Sequence, residues 1–301
     1  MDIRQLTTFQ MAATLLSFSR AAAELNYAQS SVTGQIRGLE NSLGVELFER
    51  LSGRSVRLTQ AGQRFLPYAE QLLHLADEAR NATKGGTEPS GRLLVGTMES
   101  IATYHMPPLL EFFHHRYPGL QVVLRPGAGA ETVQALRQGS LDLGLLTDVE
   151  TGHAGTDGVV LRSEPVVAVA APGHAPAGRR LVTADQLRDV RVLAPEAGPG
   201  YRRLLERELW GGRGPTPLLE SGTVESAKRW AASGLGIALL PAVAVEEGID
   251  EGTLVPLAWW PPCEVHTQLV WRRGTRLTRE MRLFIDKVSE FMAEESDQIA
   301  A

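Results

Sequence analysis

Residues 84–91 read KGGTEPSG, three glycines and a proline among small and charged residues. Such a stretch favours neither a helix nor a sheet ladder and reads as a linker. It divides the chain into parts of different periodicity. Before it the pattern is almost wholly helical. After it, short apolar runs such as RLLVG, LQVVL and LDLGLL alternate with helical stretches such as MPPLLEFFHHRY and ETVQALRQG. That alternation predicts α/β units with a mostly parallel sheet. A length of 301 residues also suits about two domains.

Composition narrows the setting. The chain is 43% hydrophobic and 22% charged, with a formal net charge of −5. Residues 1–84 hold nine Lys and Arg against eight Asp and Glu, and the remainder 21 against 27. A nucleic-acid partner would therefore have to be met by the placement of arginines rather than by bulk charge. No run of about 18 apolar residues is present, and MDIRQLTTFQMAATLL lacks the apolar centre of a signal peptide. The expected setting is the cytoplasm, with no membrane partner. The single cysteine, Cys263, excludes an intramolecular disulfide within this chain and fits a reducing compartment.

In the first part, Ile3, Leu6, Phe9 and Ala13 recur at steps of three and four and predict an amphipathic helix. Ser17 or Ser19 can cap a second helix, RAAAEL, whose alanines allow close approach. In the next stretch, AQSSVTGQIRGLE, Val32, Ile36, Leu39 and Leu43 share one face. Ser30, Ser31, Gly34, Arg37, Gly38 and Asn41 lie on or near the opposite one. A short helix, a brief turn and a second helix with a small polar face form a helix-turn-helix unit. That face suits the major groove, where base edges need donors and acceptors without bulk. A solvated surface face is the plain alternative. Two glycines there cost about 1 kcal/mol each in helix propensity, which is better explained if something approaches closely.

Beyond it, LFERLSGRSVRLTQAG reads as a hairpin turning at Ser52-Gly53, with Arg50, Arg54 and Arg57 along its edges. Such a wing would place arginines on phosphates or in the minor groove. In residues 60–83, Phe65, Ala69, Leu72, Ala76 and Ala79 follow steps of 4, 3, 4 and 3, a short coiled-coil seam. The expectation is dimerisation through this helix, with a core-facing helix as the alternative. Pro67 should bend it or mark a segment lacking one backbone bond.

These features together resemble the LysR-type transcriptional regulators. SFSRAAAELNYAQSSVTGQIRGLENSLGVELFER and VRLTQAG carry the resemblance in the winged helix-turn-helix and linker helix. GTMESIATYHMPPLLEFFHHRYPGLQV, GSLDLGLL, EPVVAVAAPGHA and AASGLGIALLP carry it in the effector-binding domain. The resemblance implies that Gln29, Ser30, Ser31, Thr33 and Arg37 meet DNA, with Arg54 in the wing. It also departs from the family's usual pattern: Ala28 replaces a capping serine, Ser30 a common proline and Gly34 a longer polar residue. The wing is about one residue longer, so Arg57 stands beside Arg54 as a candidate.

The expected fold class is α/β: a winged helix-turn-helix with a long linker helix, followed by an effector domain like the periplasmic binding proteins, with two subdomains joined by crossover strands. The expected boundaries are 1–59 for the DNA-binding domain, 60–84 for the dimerisation helix and 85–91 for the hinge. Residues 92–301 form the effector domain, split into 92–162 with 267–301, and 163–266. In such folds ligands sit at strand ends, where helix N-termini offer free N–H groups. Thr97 and Ser100 follow LLVG and can cap the next helix or bind a ligand. Thr147 falls at a crossover, Tyr201 with Arg202 or Arg203 near a helix start, and Ser221 and Thr223 before another helix. Capping is the plainer role for such hydroxyls, and a surface ion pair the plainer role for Arg202. The resemblance gathers Thr97, Ser100, Thr147, Tyr201 and Thr223 around one cleft suited to a small carboxylate or another polar anion.

The resulting expectation is a regulator that reads the halves of an interrupted palindrome as a dimer or a dimer of dimers. Ligand-dependent closure would alter DNA bending and contact with RNA polymerase, and no cofactor or metal is expected. Catalysis finds little support. GAGAET at 127–132 lacks the last glycine of a dinucleotide loop, and no G-x-S-x-G, H-E-x-x-H or P-loop motif occurs. His105, His114 and His115 read as a solvated helix face rather than a zinc site. Cys263 lacks a signature of activation. A solute-binding protein without DNA function is the runner-up, and it leaves residues 1–84 unexplained. A pure dimerisation adaptor would bind neither DNA nor ligand.

Overall fold

The computed structural model describes residues 1–50, 55–83, 88–174, 190–194, 218–220, 222–259 and 264–300. The chain forms two compact units, essentially residues 1–87 and residues 88–301.

In the first unit, α1 (Ile3–Leu15) opens with a reciprocal cap: the Gln5 N–H donates to the Asp2 side chain, and the Asp2 N–H donates to Gln5 Oε1. It ends at Leu16, whose positive φ of 49° turns the chain sharply enough for Ser17 to cap α2 (Phe18–Glu24). Next come α3 (Gln29–Leu43), stopped by Gly44 in the left-handed conformation, and the antiparallel hairpin β1 (Phe48–Arg50) and β2 (Val56–Leu58). Helix α4 (Gln60–Thr83) runs through Pro67. The core is continuous: Phe9 and Phe18 of the first two helices, Val32, Ile36 and Leu39 of α3, and Leu47, Phe48 and Val56 of the wing are all buried. Phe9 lies 5.5 Å from Phe48 and 5.2 Å from Phe65 between ring centres. Leu43, at the end of the α3 stripe, is exposed.

The expected seam on α4 needs correction. Ala69 is fully buried in this core and Phe65 packs against it, so the seam's first half is spent on α1 within the same chain. The linker sequence hides this because the covering helix comes from residues 3–15. The exposed apolar residues are instead Tyr68 (62% exposed), Leu72 (37%) and Leu75 (60%), with Ala79 exposed one step further and Ala76 half-buried.

Among the described residues the second unit contains two five-stranded sheets. In the first, β4 (Leu120–Pro126), β3 (Gly91–Thr97) and β5 (Leu143–Asp148) are parallel; β12 (His266–Arg272) and β6 (Thr156–Ser163) continue the order antiparallel. One face packs on α5 (Glu99–Tyr104), α6 (Met106–Arg116) and α10 (Arg279–Ala300), and the other on α7 (Gly129–Gln138). The second sheet runs β11 (Val255–Pro256), β7 (Val166–Ala170), β10 (Ile237–Pro241), β8 (Val192–Ala194), β9 (Leu218–Glu220). Helices α8 (Val224–Ala232) and α9 (Ala242–Asp250) cover one of its faces. Both sheets are mixed rather than mostly parallel. The chain crosses between them at Glu164-Pro165 and returns at Val265, and the strands that follow the crossovers, β7 and β12, lie antiparallel to both of their neighbours.

Gly62, in the first turn of α4, marks a close approach: a Cβ there would stand 2.1 Å from the Leu47 carbonyl oxygen. Gly62→Ala should push α4 off the wing and destabilise the first unit by about 1–3 kcal/mol, measured by chemical denaturation.

Candidate functional site

On α3 the apolar stripe is buried, and Gln29, Ser30, Ser31, Gly34 and Arg37 are exposed, with Thr33 half-buried. Ala28 supplies no side-chain cap. The two glycines have different causes. A Cβ at Gly34 would meet nothing within 4 Å, so this position opens to solvent. At Gly38 it would stand 2.8 Å from Gln5 Nε2, the movable end of an α1 side chain; this half-buried position borders α1 and does not open to solvent as Gly34 does, which corrects its place on the outer face. Thr8, fully buried on α1, donates its hydroxyl to Gln35 Oε1 at 2.5 Å and fixes the rotation of α3.

The wing is held by a residue that the sequence reading missed. Glu40 Oε1 accepts the N–H of Leu47 at 2.8 Å and that of Phe48 at 3.2 Å, tying α3 to β1. Thr59 closes the other side: its hydroxyl donates to the Glu46 carbonyl and accepts the Gly62 N–H. Arg50 ends β1. Arg57 lies opposite Glu49 in register, with its guanidinium 2.6 Å from that carboxylate. The hydrogen bond that Arg57 donates to Glu49, and the charge of that carboxylate, raise the Arg57 pKa. Arg54 and the Ser52-Gly53 turn lie outside the described residues.

In the second unit, β3 ends in the first sheet and the start of α5 reaches α8 of the other subdomain. Thr97 is fully buried and donates its hydroxyl to the Met98 carbonyl. Met98 is the N-cap of α5 and makes no side-chain cap, so neither Thr97 nor Ser100 caps that helix; Ser100 is buried in its first turn. The Thr147 N–H points at Met98 Sδ, 3.2 Å away. Thr223 caps α8, its hydroxyl accepting the Ser226 N–H at 3.0 Å and donating to Ser226 Oγ. Thr147, but neither Ser100 nor Thr223, borders a pocket of about 270 Å³ between α7 and the loop after β5. Tyr201, Arg202 and Ser221 lie outside the described residues.

Two polar clusters absent from the sequence reading flank these hydroxyls. At the crossover, buried Glu164 accepts the Thr267 hydroxyl at 3.0 Å; His105 Nε2 and Arg162 Nε lie 3.5 and 3.7 Å from the same oxygen. Thr267 Oγ1 is in turn 3.5 Å from Thr147 Oγ1. His105 is thus interior rather than part of a solvated face, while His114 and His115 are exposed. Between α5 and α8, Glu99 Oε2 accepts the Val224 N–H at 3.1 Å. The Tyr104 hydroxyl donates to Glu225 Oε2 and accepts from Lys228 Nζ, each at 3.4 Å. Burial raises the Tyr104 pKa; hydrogen bonds from Lys228 and Arg229 lower that of Glu225. Burial opposes the charge on Lys228, but its bonds to Glu225 and Tyr104 prevail and its pKa rises. Among the described residues no group of three His, Cys, Asp or Glu side chains is placed to hold a metal, and no helix is long and apolar enough to cross a membrane.

A winged helix-turn-helix followed by a two-sheet binding unit defines a class of ligand-responsive DNA-binding proteins. The family model for the bacterial regulatory helix-turn-helix protein, lysR family, matches residues 3–63, and that for the LysR substrate binding domain matches residues 86–293. The HTH-type transcriptional regulator YwqM of Bacillus subtilis is 36% identical over 287 residues, covering 95% of this chain and 98% of the relative. A cysteine variant of Corynebacterium glutamicum OxyR, solved with hydrogen peroxide bound, is 25% identical with a TM-score of 0.60, covering 99% and 96% of the two chains. CbnR in complex with its target DNA shares the fold at 22% identity and a TM-score of 0.68, covering 98% and 99%. The chain belongs to the LysR family and is a DNA-binding transcriptional regulator with a substrate-binding domain.

Glu40→Ala would leave the Leu47 and Phe48 N–H groups without their acceptor, at about 1–3 kcal/mol for each that stays buried. The expected outcome is a lower melting temperature for the first unit and weaker DNA binding, with Glu40→Gln, which retains an acceptor oxygen, in between; calorimetry and a DNA titration check both.

Proposed function

We propose that α3 enters the major groove of each half of an interrupted palindrome, with Gln29, Ser30, Ser31, Thr33 and Arg37 facing base edges and phosphates. The carrying observation is the division of α3 into a stripe locked in the core and an exposed face of small polar residues around Arg37. The open space at Gly34 allows close backbone approach and shifts weight from direct readout to shape and phosphate contacts. The wing arginines Arg50, Arg54 and Arg57 serve the phosphates or the minor groove, Arg57 by exchanging Glu49 for a phosphate. The protein acts in the cytoplasm as a dimer or a dimer of dimers. Its α4 contact uses the exposed stripe Tyr68, Leu72, Leu75 and Ala79, which keeps the heptad spacing of the expected seam while leaving Phe65 and Ala69 to the core.

The cleft between the two sheets takes a small anion, a carboxylate by chemistry, with Ser100, Thr147 and Thr223 on the described side and Tyr201 and Arg202 as further contacts. Thr97 serves this site as buried support for the β3–α5 turn. Ligand-dependent closure changes the DNA complex and its meeting with RNA polymerase, for which a coupling of about 1–3 kcal/mol suffices. No catalytic step belongs to this reading.

DNA titrations of the full-length protein across a salt series test the first part. Affinity should fall steeply with salt, and Arg37→Ala should cost about 1–3 kcal/mol; no binding at any salt would remove the reading. For the cleft, a thermal-shift screen with small carboxylates, amino acids and aromatic acids should find a compound that stabilises the wild type. A ligand at 100 times its dissociation constant adds about 2.7 kcal/mol. Ser100→Ala should lose that shift; an equal shift in the variant would place the compound elsewhere.

A further inference from the structure

Eleven residues, 272–282, read RRGTRLTREMR and hold five of the 21 Lys and Arg in residues 85–301, a stretch that is acidic as a whole with 27 Asp and Glu. They span the end of β12, the turn after it and the start of α10. Arg272, Arg273, Arg276, Arg279 and Arg282 are all exposed, and Glu280 is the one acid among them. Like charges so close repel one another, and Arg279 and Arg282 stand at a helix start, where the dipole disfavours cations. A merely solvated face would be more stable with its charges mixed.

The arginines are presented by a fixed turn. Gly274 takes the left-handed conformation, with a φ of 75°, and its N–H donates to Asp157 Oδ2 at 3.3 Å. Arg273 donates through Nε to Asp157 Oδ1 at 3.3 Å and through its N–H to the Gly155 carbonyl at 3.0 Å. Arg272 and Arg282 bond through Nε to the Thr275 hydroxyl and the Leu277 carbonyl, partners that carry no opposing charge. Arg137, exposed in the last turn of α7, joins the same rim, since a Cβ at Gly155 would stand 2.8 Å from its Nε. The rim lies at one end of the first sheet. Val270 of β12 is opposite Gly144 near the start of β5, and Asp142, just before that strand, bonds Leu94 of β3 in both directions. The arginines therefore begin at the sheet end where β3 begins, and Gly91 there follows within four residues of Thr87, the end of the first unit.

We propose that this rim is a second, sequence-independent DNA contact: Arg276, Arg279 and Arg282, with Arg272 and Arg137 beside them, hold duplex phosphates other than those met by α3 and the wing. Guanidiniums fixed on one turn suit a stiff polyanion with regularly spaced charges, each able to form two parallel bonds to a phosphate. DNA is the polyanion that this family binds, and residues 1–84, with nine Lys and Arg against eight Asp and Glu, supply little bulk attraction of their own. The tether permits the reach: the 24 residues of α4 span about 36 Å, close to one turn of duplex. The phosphates held by the rim thus flank the stretch read by α3, and the effector domain takes a direct part in holding DNA.

Titration of the full-length protein with a random-sequence duplex of about 40 base pairs, across a salt series, tests the contact. Each phosphate contact contributes about 0.9 to the slope of log affinity against log salt, so Arg276→Gln with Arg282→Gln should lower that slope by about 2 and weaken binding at low salt several-fold. Arg191→Gln with Arg229→Gln removes the same charge from exposed positions of the second subdomain and should leave the slope at its wild-type value. Arg37→Ala should lower it by about 1, additively with the rim pair, as expected of separate surfaces. Melting temperatures establish that each variant folds; if the rim pair does not, Arg276→Gln alone, outside α10, should lower the slope by about 1. An unchanged slope in the rim variants, or an equal loss in the second-subdomain pair, overturns the proposal. So does a rim pair that keeps the DNA slope but loses salt-sensitive self-association in sedimentation, which would assign the arginines to the acidic surface of a second copy.

Discussion

Leu47 donates its N–H to the Glu40 carboxylate, accepts the Thr59 N–H on its carbonyl, and presents that same carbonyl to Gly62. Its side chain is fully buried among α1, α3 and α4 residues. Through one residue α3, the wing and α4 are fixed to each other. The arrangement explains why an acid on α3, a threonine before α4 and a glycine in its first turn all belong to the short stretch of chain around the wing. Each satisfies or accommodates a Leu47 backbone group that burial would otherwise leave costly. With these bonds made, β1 and β2 are fixed to α3 while Ser30, Ser31 and Arg37 on its outer face stay exposed.

The second unit relies on a buried polar junction rather than a buried turn. Glu164 lies on the first crossover and its N–H donates to the carbonyl of Val265 on the second. His105, Arg162 and Thr267 converge on its carboxylate from α5's end, β6 and β12. Removing one partner of a buried ion pair costs about 3–5 kcal/mol, because the charge it faced stays buried. The two crossovers are thus tied to each other on the first sheet's side, and the Thr147 and Thr267 hydroxyls, 3.5 Å apart, link β5 to this junction.

Periodicity made much of the first unit legible. Val32, Ile36 and Leu39 announced the buried face of α3, and the SG between RL and SVRLT announced the hairpin. Long-range neighbours were not legible. The spacing on α4 fits two stripes, and only the arrival of α1 decides that Phe65 and Ala69 are covered while Tyr68 and Leu75 are not. Gly38 looked like an opening for DNA because nothing local reveals Gln5. His105 looked solvated because Glu164 stands 59 residues away in sequence. Glu99 is the most deceptive case. An acid in the first turn of a helix ordinarily serves its own dipole, yet this one bonds to a helix that starts at Val224.

The two unit-wide cores and the α5–α8 contacts differ in strength in a way that suits regulation. Ala168, Leu239 and Leu257 on one side of the second sheet, and Leu193, Leu240 and Val245 on the other, bury apolar area that no small ligand can replace. A charge-assisted hydrogen bond, by contrast, contributes about 1.5–3 kcal/mol, close to the coupling that allosteric proteins use. The α5–α8 hydrogen bonds therefore join the two subdomains without adding to the apolar core of either sheet.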